Sequence, residues 1–255
     1  MKPLTAPEKA PARFGARTIL AFVAVFIAAV PFAIVVALVT TSSRSLLRVD
    51  RGMANGLHRF AGEHPGFATA MRTISNIGSP VAWWILLTPV FAWLLYRRLP
   101  RLAVFVAVTS IGSSLLNRAI KAAVDRARPH LVDPIATAAG KSFPSGHTQS
   151  AVVGCGILVL VFLPIVHRRA RPWLFAAASL VVLLIGFSRI ALGVHYFSDV
   201  IGAILIGLAW LLAMTAAFSV WRREERKPPV ELAEGLEPEQ RDRLAHGPVD
   251  GAPSE

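Results

Sequence analysis

The stretch PWLFAAASLVVLLIGFSRIALGVHYFSDVIGAILIGLAWLLAMTAAFSVW, residues 172–221, carries only two formal charges, Arg189 and Asp199. Two apolar runs, 172–188 and 200–221, flank a short polar turn. Each is close to the roughly 20 residues that a helix needs to cross a hydrocarbon core about 30 Å thick. The stretch therefore reads as two membrane helices joined at one surface, with Ser188, Arg189, His195 and Asp199 gathered at the join.

Working outward, four more apolar runs of comparable length lie at 18–41, 80–96, 102–120 and 147–166. The expected fold is all-α, a six-helix transmembrane bundle over 18–221. The runs at 80–96 and 172–188 are short and need flanking residues or local bilayer thinning to span. Composition agrees. Of 255 residues, 54% are hydrophobic and 16% charged, and the mean hydropathy is +0.55, outside the range of ordinary soluble domains. Lys2, Lys9, Arg13 and Arg17 precede the first run like a secretory n-region. That run exceeds the 7–15 apolar residues usual for a signal peptide, so a retained helix is expected after a cytoplasmic segment 1–17. Residues 222–255, with six basic and nine acidic side chains and few large apolar ones, read as a disordered cytoplasmic tail.

The 27 Lys and Arg against 15 Asp and Glu give +12. Alone, that balance would suit nucleic acid, but a bilayer accounts for charge and hydropathy together, so no nucleic-acid partner is expected. Arginine clusters at 97, 98 and 101 and at 168, 169 and 171 fall on one side of a six-span chain. The N-terminal group and Arg222, Arg223, Arg226 and Lys227 share that side, which makes both termini cytoplasmic. Trp83, Trp84, Trp93, Trp173 and Trp221 fall near span ends, where aromatic rings favour the headgroup level. The lone cysteine, Cys155, leaves no intrachain disulfide and no thiolate metal cluster.

The remaining positive charge lies where orientation does not require it. In 42–79, apolar Val49, Met53, Leu57, Phe60, Phe67, Met71 and Ile74 recur at helical spacing among Arg44, Arg48, Arg51, Arg59 and Arg72. That pattern predicts amphipathic segments on the outer surface, their arginines reaching headgroups. In the third span, Ser110, Ser113, Ser114, Asn117 and Lys121 share one face, which in a membrane bundle turns inward. If the helix runs on past Lys121, Asp125 and Arg128 extend the stripe, placing Lys121 and Arg128 about 10.5 Å apart along the axis.

The fourth span opens with Ser145, Gly146 and His147. Ser145 is a natural N-cap, Gly146 permits close approach, and the free N–H groups of a helix start suit a phosphate-like anion. His147 is a candidate acid or base. His195 and Asp199, four apart, put imidazole and carboxylate on one helical face; a carboxylate on one ring nitrogen leaves the other free to attack. Taken alone, the pair is as well an ordinary helix-start hydrogen bond. Six-span topology brings the ends that carry Lys121, Arg128, His147, Arg189, His195 and Asp199 to one side. Three cations there would repel a divalent metal and suit a tetrahedral oxyanion.

Lys121, six residues, Arg128-Pro129; Pro144-Ser145-Gly146-His147; and Ser188-Arg189, five residues, His195, three residues, Asp199 resemble the three ordered motifs of the type 2 phosphatidic acid phosphatase superfamily, which includes vanadium haloperoxidases. The resemblance spans roughly 80–221 and extends to its six-helix bacterial membrane lipid phosphatases. It implies a metal-independent hydrolase without cofactor, acting on a membrane lipid phosphate or diphosphate such as undecaprenyl diphosphate, phosphatidylglycerol phosphate or phosphatidate. By that resemblance His195 is the nucleophile that becomes phosphohistidine, Asp199 orients it, and His147 protonates the leaving oxygen. Lys121, Arg128, Ser145, Gly146 and Arg189 bind phosphate. The site faces the extracytoplasmic side of the cell membrane. Two alternatives remain at this level: vanadate-dependent halide oxidation, and a lipid or anion transporter that binds phosphate without cleaving it.

Overall fold

The computed structural model describes residues 26–131, 134–224 and 234–246. Helices account for nearly all of them, and no strand is found among the described residues. Helix α1 (Phe26–Thr40) meets α2 (Arg44–Glu63) at an 89° bend. Helix α3 (Pro65–Ile77) meets α4 (Pro80–Tyr96) at 41°. Proline in the first turn of α3 and of α4 suits a position whose N–H has no helical acceptor. Ser79 caps α4 by accepting from the Ala82 N–H at 3.1 Å.

Four helices are individually long and apolar enough to cross a membrane: α5 (Pro100–Val124), α6 (Gly146–Phe162, extended by a 3-10 turn to Ile165), α7 (Arg171–Ala191) and α8 (Phe197–Glu224). Counting each bent pair as one span brings the number to six. The run expected at 172–188 is therefore a full-length helix of 21 residues, whereas α4, with 17, passes only together with α3. Of the first expected run, 18–25 lies outside the described residues.

Helix α6 is the centre of the bundle and packs on α4, α5, α7 and α8. Its apolar side chains are buried or half-buried on every side, as a helix surrounded by helices requires. Gly154 makes room for Trp83 of α4: a Cβ there would overlap the indole. Trp83 is thus a core residue and not a headgroup anchor, while Trp173 is 78% exposed, as an anchor should be. Leu94, Leu102, Val106, Val161 and Phe218 form the main core at the end of the bundle where α4 and α6 finish and α5 begins. Outward-facing Ile85, Val108, Leu115 and Leu183 are half or more exposed, a surface whose complement is lipid.

Three expectations need correction. Helix α5 does not run on to Arg128. It ends at Val124 because Asp125 turns left-handed, with φ 51°, and its N–H closes on the Lys121 carbonyl. The 42–79 segment does form amphipathic helices, but α2 and α3 pack on α7, and α2 also on α8, burying Asp50 and Ser75 along with apolar residues. Finally, part of the tail is folded. Leu236 and Leu244 are buried in the main core, the Leu236 N–H donates to the Leu160 carbonyl at 3.1 Å, and Arg222 pairs with Glu239 at 2.7 Å. Averaged composition hides two leucines and two acids, Glu237 and Glu239, that find Arg101 and Arg222. The segment 1–17 and the tail positions 225–233 and 247–255 lie outside the described residues.

Candidate active site

The ends of α5 and α7 and the starts of α6 and α8 meet, as the topology required. From the last turn of α5, the Lys121 ammonium donates to the Lys141 carbonyl at 2.6 Å and the Ser142 carbonyl at 3.4 Å. These bonds tie the loop before α6 to α5. Arg128, on that loop, donates to the carbonyls of Gly140 at 2.9 Å, Ala139 at 3.0 Å and Val194 at 2.7 Å. Its Nη1 also stands 3.1 Å from His195 Nε2. Arg128 therefore stitches the loop between α5 and α6 to the turn between α7 and α8.

Ser145 caps α6, its hydroxyl oxygen accepting from the Thr148 N–H at 3.5 Å and the Thr148 hydroxyl at 3.0 Å. The Ser145 N–H donates to the Asp199 carbonyl at 3.1 Å, docking the α6 N-terminus on α8. Gly146 lies against Asn117, where a Cβ would come within 3.6 Å of the amide oxygen. His147 is half-buried in the first turn of α6. Lys121, Arg128, Arg189 and His195 are all close enough to act on it electrostatically.

Between α7 and α8, Gly193 takes a left-handed φ of 71°, which a residue with a Cβ adopts only with strain. The turn it makes sends the N–H groups of Val194 and His195 back to the Arg189 carbonyl, each at 3.2 Å. His195 is 2% exposed, and its Nδ1 lies 3.3 Å from Asp199 Oδ2. A guanidinium can only donate, so Arg128 fixes Nε2 as an acceptor with its lone pair and leaves the ring proton on Nδ1, toward Asp199. Burial pushes the imidazole down to about 4 against the opposing pull of Asp199, and Arg128 and Arg189 push the same way as burial. At neutral pH the ring is uncharged, with its lone pair on Nε2.

Arg189 is 7% exposed and donates from Nη1 to the Ser75 hydroxyl of α3, while its Nε has no hydrogen-bond partner among the described residues. A buried guanidinium with an unused donor is a costly arrangement unless an anion takes it.

All eight residues singled out from the sequence converge here. Others escaped it. Asp199 Oδ2 also accepts from the Ser142 hydroxyl and from the Tyr196 N–H at 2.9 Å, and Oδ1 accepts from Arg126 Nη1 at 2.6 Å. Arg126 reaches Asp50 of α2 with Nη2 at 2.7 Å and lies over the Tyr196 ring at 4.4 Å. On α6, Gln149 ties the polar stripe of α5 together, accepting from Asn117 at 2.8 Å and donating to Ser113. The lone acid Asp50 amid Arg44, Arg48 and Arg51 was the one available signal.

A cleft of about 520 Å³ runs from Lys121, Asn117 and Gly146 between α4, α5 and α6 to Trp84, Ile111 and Leu115 on the lipid-facing surface. Arg118 lines it and has no ion-pair partner among the described residues.

Comparison with known proteins matches residues 101–223 to the PAP2 superfamily. Phosphatidylglycerophosphatase B of Bacillus subtilis is 33% identical over 98 residues, 37% of this chain and 47% of that one. Lipid A 1-phosphatase of Rhizobium etli is 33% identical over 121 residues, 44% of this chain and 48% of that one. The chain thus spans about half the length of the curated relatives it matches. A crystal structure described as a transmembrane PAP2-type phosphatidylglycerolphosphate phosphatase from Bacillus subtilis superposes with a TM-score of 0.68 at 22% identity, covering 80% of this chain and 98% of that one. The matched stretch 101–223 supplies α5 through α8, so the helices that carry the site are the part similar to the PAP2 superfamily, and the all-helical, multi-span membrane fold is shared with that crystal structure.

Proposed function

We propose that the protein is a membrane phosphatase that removes phosphate from lipid phosphate monoesters or lipid diphosphates through a phosphohistidine. The observation that carries this reading is His195 itself. Its Nε2 carries the ring's lone pair, turned to Arg128 from which it accepts, its Nδ1–H is backed by Asp199, and the α6 N-terminus is docked beside it. Two relatives named as lipid phosphatases lend support.

In the first step the Nε2 lone pair of His195 attacks phosphorus as the bond to the lipid oxygen breaks, and His147 gives that oxygen a proton. Asp199 stabilises the positive charge that develops on the imidazole ring. In the second step water attacks the phosphohistidine, its proton passes to His147, and the P–N bond returns its electron pair to Nε2. Phosphoryl transfer asks chiefly for in-line positioning and charge on the equatorial oxygens. Lys121, Arg128, Arg189 with its unused Nε, and the start of α6 at Ser145 and Gly146, where the Gly146 N–H is the available backbone donor, provide that charge.

A lipid enters sideways along the cleft, its tail against Trp84, Ile111 and Leu115 and its headgroup toward Lys121. The positive clusters support a site on the extracytoplasmic face of the cell membrane. Undecaprenyl diphosphate is the favoured substrate over phosphatidate, because Arg118 offers a second cation along the same cleft. The test is phosphate release by purified protein with EDTA present, across prenyl diphosphates, phosphatidylglycerol phosphate and phosphatidate. Release from at least one is expected; none from any would overturn the reading.

A further inference from the structure

Asp50 lies on α2, outside the family-matched stretch 101–223, and yet its carboxylate is wholly buried. Its Oδ2 accepts from Arg126 Nη2 at 2.7 Å and from the Ser198 hydroxyl at 2.6 Å, and its Oδ1 accepts from the Ser198 N–H at 2.9 Å. Asp50 thus caps the start of α8 from a different helix. The other prong of the same guanidinium, Nη1, donates to Asp199 Oδ1 at 2.6 Å and to the Ser198 hydroxyl at 2.7 Å.

Arg126 is therefore a fork between two fully buried carboxylates, with the Tyr196 ring stacked on its face. The geometry fixes two things about Asp199. Anchoring Oδ1 sets the rotation of the carboxylate, which decides whether Oδ2 points at His195 Nδ1. Charge matters as well. An arginine paired with Asp199 alone would neutralise the carboxylate that has to stabilise a developing imidazolium. A second carboxylate on the far prong shares the guanidinium charge and leaves Asp199 its negative character. A purely structural buried pair needs one acid per arginine; this one has two, and the second comes from an amphipathic helix.

Resting on the reading of His195 and Asp199 as the reacting pair, we propose that Asp50 is a positioning residue for catalysis, acting through Arg126 to orient and charge Asp199. Because α2 packs on α7 and α8, Asp199 is wired to an amphipathic helix outside the matched stretch 101–223.

A double-mutant cycle tests this in the full chain in detergent. Asp50→Asn, which keeps the shape, and Arg126→Gln are made singly and together, with kcat and KM measured on whichever lipid phosphate the unsubstituted protein turns over best. Asp50→Asn is expected to lower kcat about 10- to 100-fold with KM within about 3-fold, and to cost less than about 3-fold more when Arg126 is already Gln. Arg126→Lys should not rescue, since one ammonium cannot reproduce the fork. Ser198→Ala, which removes no charge, is the milder variant if Asp50→Asn fails to fold; its smaller kcat loss should likewise vanish when Arg126 is Gln. Losses that multiply in the double variant, or that appear in KM alone, would overturn the relay while leaving the phosphatase reading intact. An unsubstituted protein that releases no phosphate would sink both.

Discussion

Arg128 Nη1 and His195 Nε2 stand 3.1 Å apart, and because arginine has only protons to offer, this contact decides the tautomer of the ring. The imidazole is buried, backed by Asp199 and approached by Arg128, with Arg189 acting on it from α7 and His147 from α6. Burial and the two arginines disfavour the imidazolium more than Asp199 favours it. His195 should therefore titrate with a midpoint near 4, so its ring stays neutral through pH 6, where an exposed histidine is largely charged. The sign follows for folding: a depressed midpoint contributes stability that is present above the unfolded value near 6.5 and is lost as pH falls toward 4. Ring resonances from histidine-labelled protein, assigned by their loss in His195→Gln, measure the midpoint directly. A value at or above 6.5 would contradict the burial argument.

In the proposed mechanism the roles of the two histidines separate by leaving group. His195→Ala removes the nucleophile and should abolish turnover of every substrate. His147→Ala removes a proton donor, so the loss should be about 100- to 10,000-fold on alkyl lipid phosphates, whose leaving oxygen needs that proton. On an aryl phosphate, which departs without help, the loss should shrink to about 10-fold or less. Equal losses on both substrates would deny His147 the acid's part. Protein denatured at alkaline pH, where a P–N bond survives, and carrying label from substrate should show a phosphoramidate in His147→Ala and none in His195→Ala.

Why some of this could be read from sequence and some could not is visible at Asp125. The spacing of Ser113, Asn117 and Lys121 sufficed to place a polar face toward α6, because three- and four-residue steps fall on one side of a helix whatever surrounds it. The helix-start logic of Ser145 and the four-residue step from His195 to Asp199 are local in the same way. The left-handed turn at Asp125 breaks the phase of α5. It takes Arg126 out of any periodic pattern and swings it onto Asp199, 73 positions away, and Asp50, 76 positions away. Ser142 is likewise 57 positions from the carboxylate it binds. Partners so distant are set by how helices dock, and a single chain's periodicity carries no record of that.

Arg118 sits on a membrane helix with its charge unpaired among the described residues, and it lines the same cleft as Lys121 one turn nearer the apolar mouth. A cation there is costly without a function. On the proposed lipid phosphatase reading, its partner is a second anionic group on the same lipid: the phosphate left behind when a diphosphate is cleaved, or the diester of phosphatidylglycerol phosphate. Arg118→Gln should lower kcat/KM for such lipids about 10-fold, the worth of one charge-assisted contact, and leave phosphatidate within about 2-fold. Equal effects on all three would mean that Arg118 serves only to reach headgroups.

Charge is what supports an external opening for the proposed site. The arginines at 97, 98 and 101 and at 168, 169 and 171 lie at the opposite end of the helices from Lys121 and His195. Positive loops are retained on the cytoplasmic side, so the loop 125–145 and the turn before α8 should be external. Cys155 is buried, and replacing it with alanine gives a background free of other thiols. In that background, cysteine at the exposed Thr137 should react with a membrane-impermeant maleimide in intact cells, and cysteine at the exposed Ala170 only after permeabilisation. The reverse pattern would turn the bundle over, and the phosphate would then be released into the cytoplasm.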